Sequence, residues 1–161
     1  MRLILLLLPL LVALSACNTA ATRDVNSPYF IIPSGSKLIQ QKPIRIPEKR
    51  SHVKLQHGRI VGSVDQYTPN CRFNVNDLGP SVVEPDSFAV SRAEVRQEWV
   101  TRPAIMRYYR VIYLESDKQP DVLNMTCNIW NDPVGALDLS VPQIREALGD
   151  YFEFEAAVSQ K

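Results

Sequence analysis

Beyond residue 35 the apolar residues fall mostly at every second position, in short runs broken by Pro, Gly, Asp, Asn and Ser. A period of two marks strands that bury one face. Leu38-Ile39-Gln40-Gln41 is the first such run. Ile44-Arg45-Ile46 alternates between Pro43 and Pro47, which suits an edge or a strand end because proline has no amide to give to a ladder. Val53-Lys54-Leu55 alternates again, His57-Gly58 reads as a turn and Ile60-Val61 returns, so a hairpin is predicted here. A loop from Asp65 to Asn70 leads into Cys71-Arg72-Phe73-Asn74-Val75, in which Cys71, Phe73 and Val75 share a face. Asp77 to Asp86, with Gly79, Pro80 and Pro85, is a second loop.

The run from Phe88 to Trp99 holds enough Ala, Glu, Arg and Gln to allow a helix, but alternation favours a long strand. Phe88, Val90, Arg92, Glu94, Arg96 and Glu98 then lie on one face, which changes from apolar to charged, so the strand leaves the core partway. Met106 to Leu114 is aromatic and β-branched and is the strongest strand in the chain. After a turn through Ser116, Asp117 and Pro120, the residues Leu123, Met125, Cys127 and Ile129 share a face. Ser140-Val141-Pro142-Gln143 has the form of a capping box, and Leu139 with Ile144 fits a hydrophobic staple. Ile144, Ala147 and Leu148 make an apolar stripe, and Gly149 stands where a helix stops. Tyr151 to Glu155 is a last strand with Phe152 and Phe154 inward. The predicted fold is mainly β, an antiparallel sandwich or open barrel with one short helix near 141–148; an α+β layer is the alternative.

The amino-terminal part has a different pattern. Arg2 precedes an apolar run from Leu3 to Leu14, followed by Ser15, Ala16 and Cys17. Twelve residues interrupted by Pro9 are too few for a membrane span, which needs about 20. An ordinary secretory signal also ends in small residues such as Ser15 and Ala16. The junction Leu14-Ser15-Ala16-Cys17 resembles the lipobox of bacterial lipoproteins. That resemblance implies that residues 1–16 are a cleaved signal peptide and that Cys17 becomes an acylated amino terminus. One acyl chain gives marginal attachment, whereas the three chains implied here hold a protein permanently. Asn18 rather than Asp after the cysteine implies the outer membrane, and the periplasmic side of the envelope is favoured over the cell surface. Residues 17–34 then form the lipidated end and a small, polar tether, and residues 35–161 a single domain. Tyr29-Phe30-Ile31-Ile32 interrupts the tether as a first strand-like segment or as a staple onto the fold.

Composition narrows the function further. Removing sixteen residues from 161 leaves 145, one ordinary domain. With 45% hydrophobic and 22% charged residues the chain is globular rather than disordered. Without Arg2 the basic and acidic side chains balance, which argues against a nucleic-acid partner and against long-range capture by anionic lipid. Cys71 and Cys127 remain, and an export signal places them where disulfides persist. Both sit on apolar strand faces, so an internal disulfide is expected, closing a loop of about 57 residues worth roughly 4 kcal/mol. Buried free thiols or a metal site are the rival readings, and neither cysteine belongs to a CxxC pair.

Sequence motifs for catalysis are missing. There is no Gly-x-Ser-x-Gly elbow, the nearest string being Pro33-Ser34-Gly35-Ser36. His52 and His57 stand five residues apart, which on a strand puts them on opposite faces, and neither Gly58 nor Gly62 leads into a phosphate-binding lysine. No cofactor and no metal are expected. Arg107, Tyr109, Arg110 and Tyr113 cluster on the strongest strand, with Arg92 and Arg96 on the one before; antiparallel pairing would join them into a candidate interaction surface. The competing reading pairs Arg92 and Arg96 with Glu94, Glu98 or Glu115 as routine surface ion pairs. The segment from Gly35 to Phe73, with Pro43-Ile44-Arg45-Ile46-Pro47 and Asp65-Gln66-Tyr67-Thr68-Pro69-Asn70-Cys71, looks like small envelope lipoproteins of proteobacteria whose function is unassigned. That resemblance implies no activity, and Cys17 is the residue it carries over. The expected role is non-enzymatic: a lipid-anchored envelope module that binds or scaffolds an envelope protein. A carrier or sensor of a small amphiphile, with an apolar cavity, and a hydrolase with an unrecognised site are the alternatives.

Overall fold

Among the described residues, alternation of apolar and polar positions becomes ten antiparallel strands, with one helix beside them. The computed structural model describes residues 23–157. The lipobox residues Leu14 to Cys17, and Asn18 with them, lie outside the described residues. The elements are β1 (Lys37–Gln40), β2 (Ile44–Ile46), β3 (His52–Gln56), β4 (Arg59–Val61), β5 (Asn70–Val75), β6 (Ser81–Val83), β7 (Ser87–Thr101), β8 (Ile105–Glu115), β9 (Val122–Asn131), helix α1 (Val141–Leu148), a 3-10 turn (Gly149–Tyr151) and β10 (Phe152–Glu155). Eight strands form one curled half-barrel sheet in the order β10-β1-β7-β8-β9-β5-β3-β4, and β2 pairs with β6 separately. The fold is therefore mainly β, with one short helix among the described residues.

Only the inner face of the large sheet is apolar. Leu38, Leu55, Phe73, Phe88, Ile112, Met125, Phe152 and Phe154 point inward with the buried face of α1. Phe73 lies at the centre, 5.3 Å from the Phe152 ring and 6.1 Å from Phe88. Cys71 and Cys127 occupy directly opposed positions on β5 and β9, with Cα atoms 4.0 Å apart, and form a disulfide. It staples two neighbouring strands at the centre of the sheet.

Helix α1 starts as the sequence predicts. The Gln143 side chain accepts from the backbone N–H of Ser140 at 2.9 Å, and Leu139 and Ile144 are both buried. Val141, Ile144, Ala147 and Leu148 form its buried stripe, packed over β3, β5 and β10. Its far end meets the β3–β4 turn. His57 and Gly58 both take positive φ, 50° and 68°, as a two-residue hairpin turn requires. Gly58 donates its N–H to the Ala147 carbonyl at 3.1 Å, and Gly149 stands against Gly58, where a Cβ would come within 2.3 Å of the Gly58 Cα.

Three expectations change. Leu123 is exposed: the register between β5 and β9 shifts after Asn74, pairing Val75 with Val122, so Val122 takes the inward place. β7 carries a bulge between Val90 and Arg92, and the extra residue reverses the alternation. Phe88 and Val90 face the core, Ala93 packs against it, and Arg92, Glu94, Arg96 and Glu98 move to the opposite face. Arg110 does not belong to the surface at all. It is 1% exposed, on the inner face between Tyr108 and Ile112, because period two separates it from Arg107, Tyr109 and Tyr113.

Arg110 fixes the segment before β1. Its Nη1 donates to the Phe30 carbonyl at 2.6 Å and its Nη2 to the Pro28 carbonyl at 2.7 Å. Phe30 and Ile32 are buried in the core. Tyr29 to Ile32 is thus a staple and not a strand, and with Val25 also packed on the core the tether belongs to the folded body from there onward. Burial pulls the Arg110 pKa down from the usual guanidinium range, an effect that the charge of Asp138 opposes.

Two substitutions test these contacts. Gly149→Ala forces a Cβ into the Gly58 backbone at φ +55° and is expected to cost about 2–4 kcal/mol; denaturant unfolding reads it as a lower midpoint at unchanged slope. Arg110→Met removes two charge-assisted hydrogen bonds and is expected to raise amide exchange at Phe30 and Ile32 well above that of Phe73, with a loss of about 2 kcal/mol.

Candidate functional site

The outer face of the sheet is polar. Register aligns its side chains into rows that cross the strands: Lys54, Arg72, Thr126 and Val111; His52, Asn74, Asn124 and Tyr113; and Asn70, Asn128, Tyr109 and Arg96. A fourth row is Trp130, Arg107 and Glu98. Amides join neighbouring strands within two of these rows. Asn74 Nδ2 donates to Asn124 Oδ1 at 2.8 Å, and Asn128 Nδ2 to Asn70 Oδ1 at 2.6 Å. Asn70, Thr126 and Asn128 are buried although they face outward, so the surface around them is recessed.

The recess is a cleft of about 450 Å³. Its floor is Asn70, Thr126 and Asn128; Lys54, Arg72 and Arg107 surround it, and Trp130, Trp99 and Glu98 stand at one end. The β4–β5 loop supplies the remaining wall through Val64 and Gln66. Polar bonds fasten that loop down. The Gln56 Nε2 donates to the Asp65 carbonyl at 2.8 Å and to Thr68 Oγ1 at 2.6 Å, while Gln56 Oε1 accepts from the Asp65 N–H at 3.0 Å. The Trp130 N–H donates to the Gln66 carbonyl at 2.7 Å, and the Tyr67 ring meets Trp130 edge-on at 6.0 Å. The cleft is therefore built on paired strands and a pinned loop, which holds its side chains in place before anything binds.

Charge is uneven around it. Arg107 is held by Glu98 at 2.8 Å and by Asn128 Oδ1 at 3.1 Å, with its guanidinium over the Tyr109 ring. Lys54 and Arg72 sit directly opposite each other on β3 and β5, and among the described residues neither has an ion-pair partner. Like charges directly opposite each other destabilise a sheet. An acidic group entering the cleft would relieve that repulsion.

The residues expected to form an interaction surface divide. Arg92, Arg96, Arg107, Tyr109 and Tyr113 share the outer face; Arg110 is on the other. Much of the group is satisfied internally: Glu94 pairs with both Arg92 and Arg96, and Arg92 covers the Tyr113 ring at 4.0 Å. Glu115 lies opposite Ala89. Sequence reading missed Lys54, Arg72, Asn70, Asn128 and Trp130. They are far apart along the chain, and only the pairing order β8-β9-β5-β3 brings them together.

Compared with models of protein families, with curated protein sequences and with solved structures, the chain matches none of them. Among the described residues no cluster of three His, Cys, Asp or Glu side chains is placed to hold a metal.

The basic side of the cleft has a measurable consequence. His52 stands beside it, and its pKa is lowered from 6.5, first by burial and then by Arg72, Lys54 and Arg50. Between pH 6.5 and that lowered value the unfolded chain holds more protons at this site than the folded one. Stability contributed by neutral His52 is thus complete above pH 6.5 and declines as the pH falls below it. Unfolding midpoints of the parent and of His52→Gln, followed from about pH 7.5 to about pH 5, are expected to diverge in that window, with the flatter curve in the variant.

Proposed function

We propose that this protein is a lipid-anchored component of a bacterial cell envelope that binds or scaffolds another envelope protein and performs no chemistry. Lipid on Cys17 would fix it to a membrane, the outer membrane given Asn18, with the domain on the periplasmic side. Support for the address comes from the Leu14-Ser15-Ala16-Cys17 junction and from a disulfide that suits an oxidising compartment. The outer-face cleft carries the binding part of the reading. It combines the unpaired cations Lys54 and Arg72 with Arg107, Trp130 and a floor of amides on rigid strands. Arg and Trp are the side chains on which interface energy concentrates, and the cation excess suits a partner that presents acidic groups. The cleft opens to the surface with a mixed lining, which fits recognition of an exposed segment better than enclosure of an amphiphile.

In-cell crosslinking of the tagged full-length chain, with mass spectrometry of what co-purifies, tests this. One dominant partner is expected, lost in Cys17→Ser and reduced about tenfold or more in the Arg72→Glu, Lys54→Glu double variant. A partner that ignores both changes, or the absence of any, would overturn the reading.

A further inference from the structure

β7 is an edge strand for most of its length. β1 pairs only with its first three residues, and the Val90 N–H and carbonyl, bonded to Ser36 and Gly35, are the last outward groups that are used. Register with β8, with one residue added at the bulge, turns the backbone of Ala93, Val95, Gln97 and Trp99 outward. Among the described residues no hydrogen bond reaches those groups. Proteins usually protect such an edge with Pro, charged side chains (Lys above all), a bulge or short length. Ser87–Thr101 contains neither Pro nor Lys and runs for 15 residues, and its register shifts fall at the two ends of the open stretch.

Its charges have another property. Arg92, Glu94, Arg96 and Glu98 alternate on one face. Turned antiparallel to itself about Val95, the strand sets Arg92 opposite Glu98 and Glu94 opposite Arg96, so every charge meets its opposite. The same register sets Val95 opposite Val95 and Ala93 opposite Gln97. These are residues whose N–H and carbonyl groups point outward, so they exchange hydrogen bonds. The charged residues then fall at non-hydrogen-bonded positions, where side chains approach most closely. A shift of two residues in the pairing would align like charges instead. Val95 is exposed on the opposite face, and the pairing would partly cover it.

We infer that two copies of this chain pair through β7 about a two-fold axis at Val95, joining their outer faces into one continuous sheet. Such an interface is self-complementary and closes at two copies.

Full-length protein with a single added cysteine, produced in cells in two differently tagged forms and treated with a mild oxidant, tests the register directly. Val95→Cys is expected to yield a disulfide-linked dimer carrying both tags, and Ile60→Cys, at the opposite sheet edge, is not. Adding Glu94→Arg to Val95→Cys places like charges across the axis and is expected to lower the linked fraction about tenfold. Adding Arg96→Glu to that variant exchanges the two charges and should restore it. Protease resistance with Cys71–Cys127 intact reports that each variant is folded. A folded Val95→Cys chain that stays monomeric or links to a different protein would overturn the inference. Equal linkage through Ile60→Cys, or indifference to Glu94→Arg, would do the same.

Discussion

Among the described residues one short helix and a two-stranded sheet lie beside the eight strands of the large sheet, and only one of its faces is dry. That limitation shapes the rest of the molecule. The inner face takes the aromatic and aliphatic side chains, the helix and the disulfide. The outer face must remain ordered without an apolar layer above it, and it does so with cross-strand amides, Arg–Glu pairs and guanidinium groups lying on Tyr rings. Each of these contacts is individually weak at an exposed site. Their common effect is to hold side chains at fixed positions, as recognition requires.

Arg110 is the exception to the dry interior. A guanidinium is costly to bury unless its donors are met, and here two backbone carbonyls from before β1 meet two of its nitrogens, while among the described residues Nε has no partner. The same contact supplies a buried destination for Phe30 and Ile32, which would otherwise be apolar residues stranded in a polar segment. A costly charge and an otherwise unsupported segment therefore stabilise each other.

Most strands were legible in the sequence because alternation is a local property. The hairpin at His57-Gly58, the helix start at Ser140 and the inward cysteines all follow from neighbours within a few residues. What failed depended on one extra residue or on distant partners. The bulge after Val90 moved Arg92 to Glu98 to the other face, and nothing local announces it. Charge alone groups Arg110 with its basic neighbours on the surface, although its position between Tyr109 and Val111 sets it on the inner face. Burial of an arginine there needs the carbonyls of Pro28 and Phe30, some 80 residues away. The cleft was not visible either, since Lys54, Arg72 and Trp130 become neighbours only through strand order.

The Arg110 clamp also sets a distance. Val25 packs on the core just ahead of that clamp, and seven residues lie between it and Cys17. Fully extended, those eight steps reach at most about 30 Å. An anchor on Cys17 would thus act as a short leash, restricting the domain to a thin layer against its membrane. Whatever meets the outer face would have to come to that layer, because the domain could not travel far to find it.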